Sequence, residues 1–213
     1  MSRSFASLVA ASCMTMAAGA TLAQESFVSA GDFLIRGRGI VVAPDASATI
    51  DPIGGTASIE TAIMPELDFS YFITDRIAVE LIAAVSPHDV TARDTLLGDV
   101  PVGDLLLLPP TLTLQYHHPV TKRLKPYIGV GVNATFFIDE DPAGGAVTDL
   151  DAEDSVALAL QAGVDYQISG PWMVNLDVKR LFLDTDVSIN NGAITADVDI
   201  DPWIIGFGFG YRF

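Results

Sequence analysis

Trp203-Ile204-Ile205-Gly206-Phe207-Gly208-Phe209-Gly210-Tyr211-Arg212-Phe213 closes the chain, and its reading decides the fold. Trp203, Ile205, Phe207, Phe209, Tyr211 and Phe213 occupy every second position, and Gly206, Gly208, Gly210 and Arg212 stand between them. A period of two is the strand period, so one face is a broad aromatic strip and the other is nearly bare. On a sheet edge in water that strip would promote aggregation, whereas against hydrocarbon it is the face a membrane strand requires.

Upstream, the same alternation recurs. Phe33, Ile35, Val41 and Ala43 share a face with Gly37 and Gly39, with Arg36 and Arg38 opposite. Leu67, Phe69 and Tyr71 oppose Glu66, Asp68 and Ser70; Ile77, Val79, Leu81, Ala83 and Val85 oppose Glu80; Leu112, Leu114 and Tyr116 oppose Thr111, Thr113 and Gln115. Ile128, Val130, Val132, Ala134 and Phe136 form the next apolar face, followed by Val156, Leu158, Leu160, Val164 and Tyr166 opposite Gln161 and Asp165, and Trp172, Val174, Leu176 and Val178 opposite Asn175, Asp177 and Lys179. With the closing strand this makes eight, and an even number returns both termini to one side. Short links near residues 74–76, 119–125 and 169–171 alternate with long ones near 44–62, 86–107, 138–154 and 184–197. The expected fold is all-β: an eight-stranded antiparallel transmembrane β-barrel over residues 24–213, with short periplasmic turns and long extracellular loops. A soluble lipocalin-like barrel has as many strands but turns its apolar face inward; alternation alone does not choose a face, and the closing strand does.

The other end agrees. Arg3 begins a short basic region, Phe5 to Ala20 is uncharged and apolar, and Thr21-Leu22-Ala23 offers small residues for cleavage, so residues 1–23 read as a secretory signal peptide. Its removal takes one Arg and no acid, which moves the net charge from -16 to -17 and removes Cys13, the only cysteine. Such acidity excludes nucleic acid as a partner, because phosphate binding needs clustered Lys and Arg. The expected partners are outer-membrane lipids, and a terminal Phe213 after alternating apolar residues resembles the signal read by the barrel-assembly machinery.

Eight strands enclose a lumen that side chains fill or that holds one small ligand, which excludes an open porin. Strand parity turns Arg36, Arg38, Glu66, Asp68, Glu80, Asp165, Asp177, Lys179 and Arg212 inward on the periplasmic half, where they are expected to pair and close the lumen as a floor. Nearer the extracellular rim it turns Ile40, Val42, Ile82, Phe137, Leu181, Leu183 and Ile200 inward, as an apolar ligand pocket or as packing under the loops. Above a closed floor an apolar ligand needs a sideways exit. Pro109-Pro110 lacks two N–H groups at the start of the fourth strand, and reads either as a gap in the wall or as a loop-to-strand junction above the membrane.

The chain resembles the OmpW family of outer-membrane proteins over nearly all of its mature length. The resemblance rests on Gly31-Asp32-Phe33-Leu34-Ile35-Arg36, on Phe72-Ile73-Thr74-Asp75-Arg76-Ile77-Ala78-Val79-Glu80-Leu81, and on Leu108-Pro109-Pro110-Thr111-Leu112-Thr113-Leu114-Gln115-Tyr116-His117. Pro126-Tyr127-Ile128-Gly129-Val130-Gly131-Val132-Asn133 and the glycine-aromatic ending complete it. It implies a narrow eight-stranded barrel with a hydrophobic channel that helps small hydrophobic molecules cross the outer membrane. The acidic third loop and the mid-strand Lys179-Arg180 depart from that pattern.

Two other classes are weighed. Catalysis needs a base beside a nucleophile. Ser86-Pro87-His88-Asp89 is a loose triad-like cluster, and His117-His118 falls at a periplasmic turn, where an interfacial place is the simpler reading, so no catalytic residue and no cofactor is assigned. The acids of the third loop, Asp139-Glu140-Asp141 with Asp149, Asp151, Glu153 and Asp154, lack EF-hand spacing and read as a solvated loop, or as the contact surface of a structural or adhesion barrel for partners or divalent cations; no metal site is assigned.

Overall fold

The computed structural model describes residues 27–213. The expected signal, Cys13 included, lies outside the described residues. Among those residues the strands in chain order are β1 (Phe33–Ala43), β2 (Ser47–Asp51), β3 (Thr56–Ile59), β4 (Ala62–Phe72), β5 (Ile77–Ala84), β6 (Ser86–Thr95), β7 (Gly98–Leu108), β8 (Thr111–His117), β9 (Leu124–Pro142), β10 (Leu150–Ala152), β11 (Ser155–Ser169), β12 (Trp172–Phe182), β13 (Asp184–Ile189), β14 (Ile194–Asp199) and β15 (Trp203–Arg212).

Eight of these close a barrel of antiparallel pairs in the order β1-β4-β5-β8-β9-β11-β12-β15, with β15 returning to β1. Closure is tied at the chain end, where Phe213 N donates to Phe33 O at 2.8 Å. Two of the tight turns share one device: Thr74 Oγ1 accepts from the N–H groups of Arg76 and Ile77, and Thr121 Oγ1 from those of Arg123 and Leu124. A hydroxyl that replaces lost backbone partners lets the chain reverse within a few residues.

The two faces of the wall differ in kind. Phe207 and Phe209 are each 56% exposed and Ile128 64%, whereas Arg36, Asp68 and Glu80 are fully buried. An outward apolar belt around an inward charged core is the inverse of a soluble barrel and fits a lipid surround. Rings mark both rims of the belt, Tyr71, Tyr116, Tyr166, Trp172 and Tyr211 at the short-turn end and Phe136, Phe182 and Trp203 at the other.

The glycines of β15 have a structural task. Gly206, Gly208 and Gly210 lie opposite Ile40, Arg38 and Arg36 of β1. A Cβ on Gly208 would collide with the Gly37 carbonyl and stand 2.7 Å from Arg38 Cα, and one on Gly210 would press Arg36 Cγ at 3.0 Å. The bare face therefore makes room for two guanidinium side chains.

The long loops are not irregular. β9 continues upward to pair with β7, which extends through β6 to β3, while β10, β13, β14 and β2 form a second sheet. Ile50, Ala57, Ala92, Val102, Leu150, Ile189, Ala196 and Val198 meet between the two sheets and join the barrel's upper core. Alternating Asp184-Thr185-Asp186-Val187 and Ala196-Asp197-Val198-Asp199, joined by Asn190-Asn191-Gly192 at positive φ, carry the sequence signature of that hairpin.

Candidate functional site

The lower lumen is filled by one ionic network. Arg36 Nη1 lies 2.8 Å from Asp68 Oδ1 and 3.3 Å from Glu80 Oε1, and its Nη2 lies 2.8 Å from Asp165 Oδ2. Arg38 reaches Glu66 at 2.7 Å, Asp68 at 2.9 Å, Glu80 at 3.4 Å and Asp177 at 3.6 Å. Lys179 Nζ bridges Glu66 and Asp177 at 3.0 and 2.9 Å. Eight of the nine residues expected in the floor are thus together. Arg212 is not: it sits on the last rungs of β15, half-exposed at the short-turn mouth, and pairs with Asp32 at 3.3 Å.

Neutral side chains complete the network. Gln161 Nε2 donates to Glu80 at 2.8 Å and to Asp177 at 2.9 Å, Gln115 Nε2 donates to Glu80 at 2.8 Å, and Tyr127 Oη donates to Asp177 at 2.6 Å. Buried charges need such added donors to offset desolvation. His117 is not interfacial: it is fully buried, its ring 4.8 Å from those of both Phe72 and Tyr127, and its Nε2 lies 2.9 Å from Gln115 Oε1.

Beneath the ions lies an apolar plug that sequence reasoning missed. Phe27, Val28, Leu34, Phe72, Ala78 and Met173 form a buried cluster across the short-turn end. Lys125 covers it, with Nζ 4.5 Å from the Phe72 ring centroid and 2.8 Å from Asp75 O.

Above the floor lies an apolar cavity of about 70 Å³. Ile40, Val42, Ile82, Phe137, Leu181, Leu183 and Ile200 all line it, with Lys179 and Glu66 among the remaining wall residues. A second apolar cavity of about 50 Å³ lies between the upper sheets and shares Ile59, Val90, Leu105, Phe137 and Ile200 with the first. Together they form an apolar shaft that ends on ions.

Pro109 and Pro110 lie in the wall, since β7 and β8 both pair with β9 on either side of them, Leu108 with Phe136 and Thr111 with Asn133. On the β9 side their carbonyls are satisfied, by Asn133 Nδ2 at 3.2 Å and Ala134 N at 3.0 Å. On the other side the ladder stops at Ile82–Thr111 and resumes at Ser86–Leu107. Proline supplies no N–H for the rungs between. Ala84, Ser86 and Pro109 bring this seam to the cavity wall.

The triad-like cluster resolves differently from its sequence order. Asp89 is exposed on the opposite face of β6, while Ser86 Oγ lies 2.6 Å from His88 Nε2 and His88 Nδ1 lies 3.2 Å from the Glu60 carbonyl. The acids of the third loop hold backbone: Glu140 accepts from Ala152 N at 3.1 Å, Asp154 from Phe137 N at 3.1 Å and Asp149 from Asn191 N at 3.0 Å.

The OmpW family model matches residues 29–213. The chain is 35% identical over 209 residues to Outer membrane protein W of Escherichia coli (strain K12), covering 93% of this chain and 94% of that protein. It is 32% identical over 163 residues to the dibenzothiophene metabolism operon protein PahQ of Pseudomonas aeruginosa, covering 75% and 76%. The crystal structure of the outer membrane protein OprG from Pseudomonas aeruginosa superposes with a TM-score of 0.80 at 36% identity, covering 87% of this chain and 97% of that one.

Proposed function

We propose that this chain, which belongs to the OmpW family and is an eight-stranded β-barrel of the outer membrane, admits small hydrophobic molecules from outside and releases them sideways into the membrane. The observation that carries this reading is the apolar cavity closed from below by ions and a plug. A molecule that enters the shaft among Ile40, Val42, Ile82, Phe137, Leu181, Leu183 and Ile200 meets Lys179 and Glu66 beneath it and has no apolar way down. Desolvating a charged layer opposes passage of an apolar solute, whereas the hydrocarbon beside the wall favours it.

The seam at Pro109-Pro110 supports the sideways route: its missing rungs abut the cavity and lie level with outward Phe136. The relative tied by name to dibenzothiophene metabolism supports an apolar cargo.

The test is uptake of small apolar solutes into liposomes that hold the barrel, with conductance measured on the same preparation. Uptake above protein-free liposomes with conductance well below a nanosiemens is expected; an open, nanosiemens channel removes the closed floor. Replacing both prolines with Val restores two donors to the seam and is expected to slow uptake, and unchanged uptake discards the sideways exit.

A further inference from the structure

The polar side chains on the cavity wall have turned their hydrogens away from it. The Glu60 carbonyl accepts only, so His88 Nδ1 carries the ring hydrogen and donates to it at 3.2 Å. Nε2 of the neutral ring is then bare and takes the hydrogen of Ser86 Oγ at 2.6 Å. Burial lowers the His88 pKa below the usual His value, which favours that neutral ring. On the facing wall Thr135 Oγ1 donates to Asn133 Oδ1 at 2.7 Å. The Asn133 amide donates to Thr111 Oγ1 at 2.9 Å and to Pro109 O at 3.2 Å, and Thr111 Oγ1 donates to Pro109 O at 3.2 Å. Lys179, the cation on the wall, donates to both Glu66 and Asp177.

A hydroxyl that has donated its one hydrogen still holds acceptor capacity. Ser86 Oγ therefore offers lone pairs at the chamber wall above the Glu66–Lys179 pair, whereas Thr135 is fully buried behind it. We propose that the chamber selects apolar molecules bearing a hydroxyl, alcohols and phenols, and that Ser86 Oγ accepts the ligand hydrogen. This rests on the reading of the cavity as a chamber for apolar ligands. An alcohol donates to that oxygen. A ketone of the same size brings one acceptor against another, and an alkane leaves every wall group with the partner it already has. One neutral hydrogen bond gained in a buried site sets the preference for alcohol over ketone at roughly threefold to tenfold.

The test uses the barrel in lipid nanodiscs, with cyclohexanol and cyclohexanone competing for it in ligand-observed NMR, and uptake of the same pair measured in liposomes against protein-free controls. The alcohol is expected to win by that factor in binding. Ser86→Ala alone bares His88 Nε2, which would accept in its place, so the informative variant is Ser86→Ala with His88→Leu; it should bind the two equally while keeping cyclohexane binding and heat-modifiable mobility. Equal binding by the wild-type barrel overturns the proposal, as does a preference that survives the double variant. Alcohol preference in binding without uptake of any solute leaves this site standing and removes the conduit, and uptake without preference does the reverse.

Discussion

At the scale of single residues, Arg36 ties distant parts of the wall together: one guanidinium meets Asp68, Glu80 and Asp165, carried by three different strands. Arg36→Met leaves these carboxylates buried with a partner missing, for which about 3–5 kcal/mol is expected. Urea unfolding followed by tryptophan emission reads it, and an unchanged midpoint would mean that water replaces the guanidinium. His88 supplies a pH signature. Its folded pKa is depressed by burial below 6.5, so the stabilisation of its surroundings is complete above the unfolded value and falls as pH drops through 6.5 toward the depressed one. Protection of the backbone amides of β6, corrected for the intrinsic pH dependence of exchange, should fall over that window in the wild-type barrel and not in His88→Leu. The inward charges were legible one by one because lipid and lumen are opposite solvents, and alternation records that contrast. The Ser86–His88–Glu60 contact was not, since Glu60 arrives from another loop and no local pattern marks its approach.

At the scale of elements, β1 runs from Phe33 to Ala43 as the alternation indicates, and the closing strand occupies the place its period required. The plug was invisible for a physical reason. Leu34 sits between Phe33 and Ile35, Phe72 between Tyr71 and Ile73, and Met173 between Trp172 and Val174, so an apolar residue facing inward beside apolar residues facing lipid produces no alternation. The upper strands alternate acid with apolar as clearly as the barrel does; their length and charge made them read as loop, although their inner faces form a core. One glycine tests how tightly the wall is set. A Cβ on Gly163 would strike the Tyr127 ring and loosen its 2.6 Å bond to Asp177, and Gly163→Ala should lower stability by about 1–3 kcal/mol in urea. We also propose that Phe213, whose ring is exposed at the last rung, is read by the barrel-assembly machinery. Deleting it should reduce the amount assembled in the outer membrane while leaving refolding into detergent intact, and normal assembly would discard that role.

At the scale of the whole molecule, two units share one wall: a barrel whose lower half is filled with ions, and a pair of sheets above it with an apolar interior. They are separable in principle, because none of the ionic contacts of the floor involves β13 or β14. Replacing residues 185–198 by a tight turn should keep the barrel's urea midpoint and heat-modifiable mobility while abolishing uptake of apolar solutes; retained uptake would show that the shaft above the barrel is dispensable. The bare face of β15 carries a consequence for how such a molecule comes into being. Arg36 and Arg38 enter the lumen from β1 only where the last strand offers no side chains, and they find Asp165, Asn175 and Asp177 on strands far along the chain. Those partners come within reach when β15 docks on β1, so an unclosed barrel carries two guanidinium groups into a hydrophobic bilayer with only the carboxylates of β4 and β5 to pair them. Such half-formed species are unfavourable, and the seam acts as a latch that makes insertion and closure a single cooperative event.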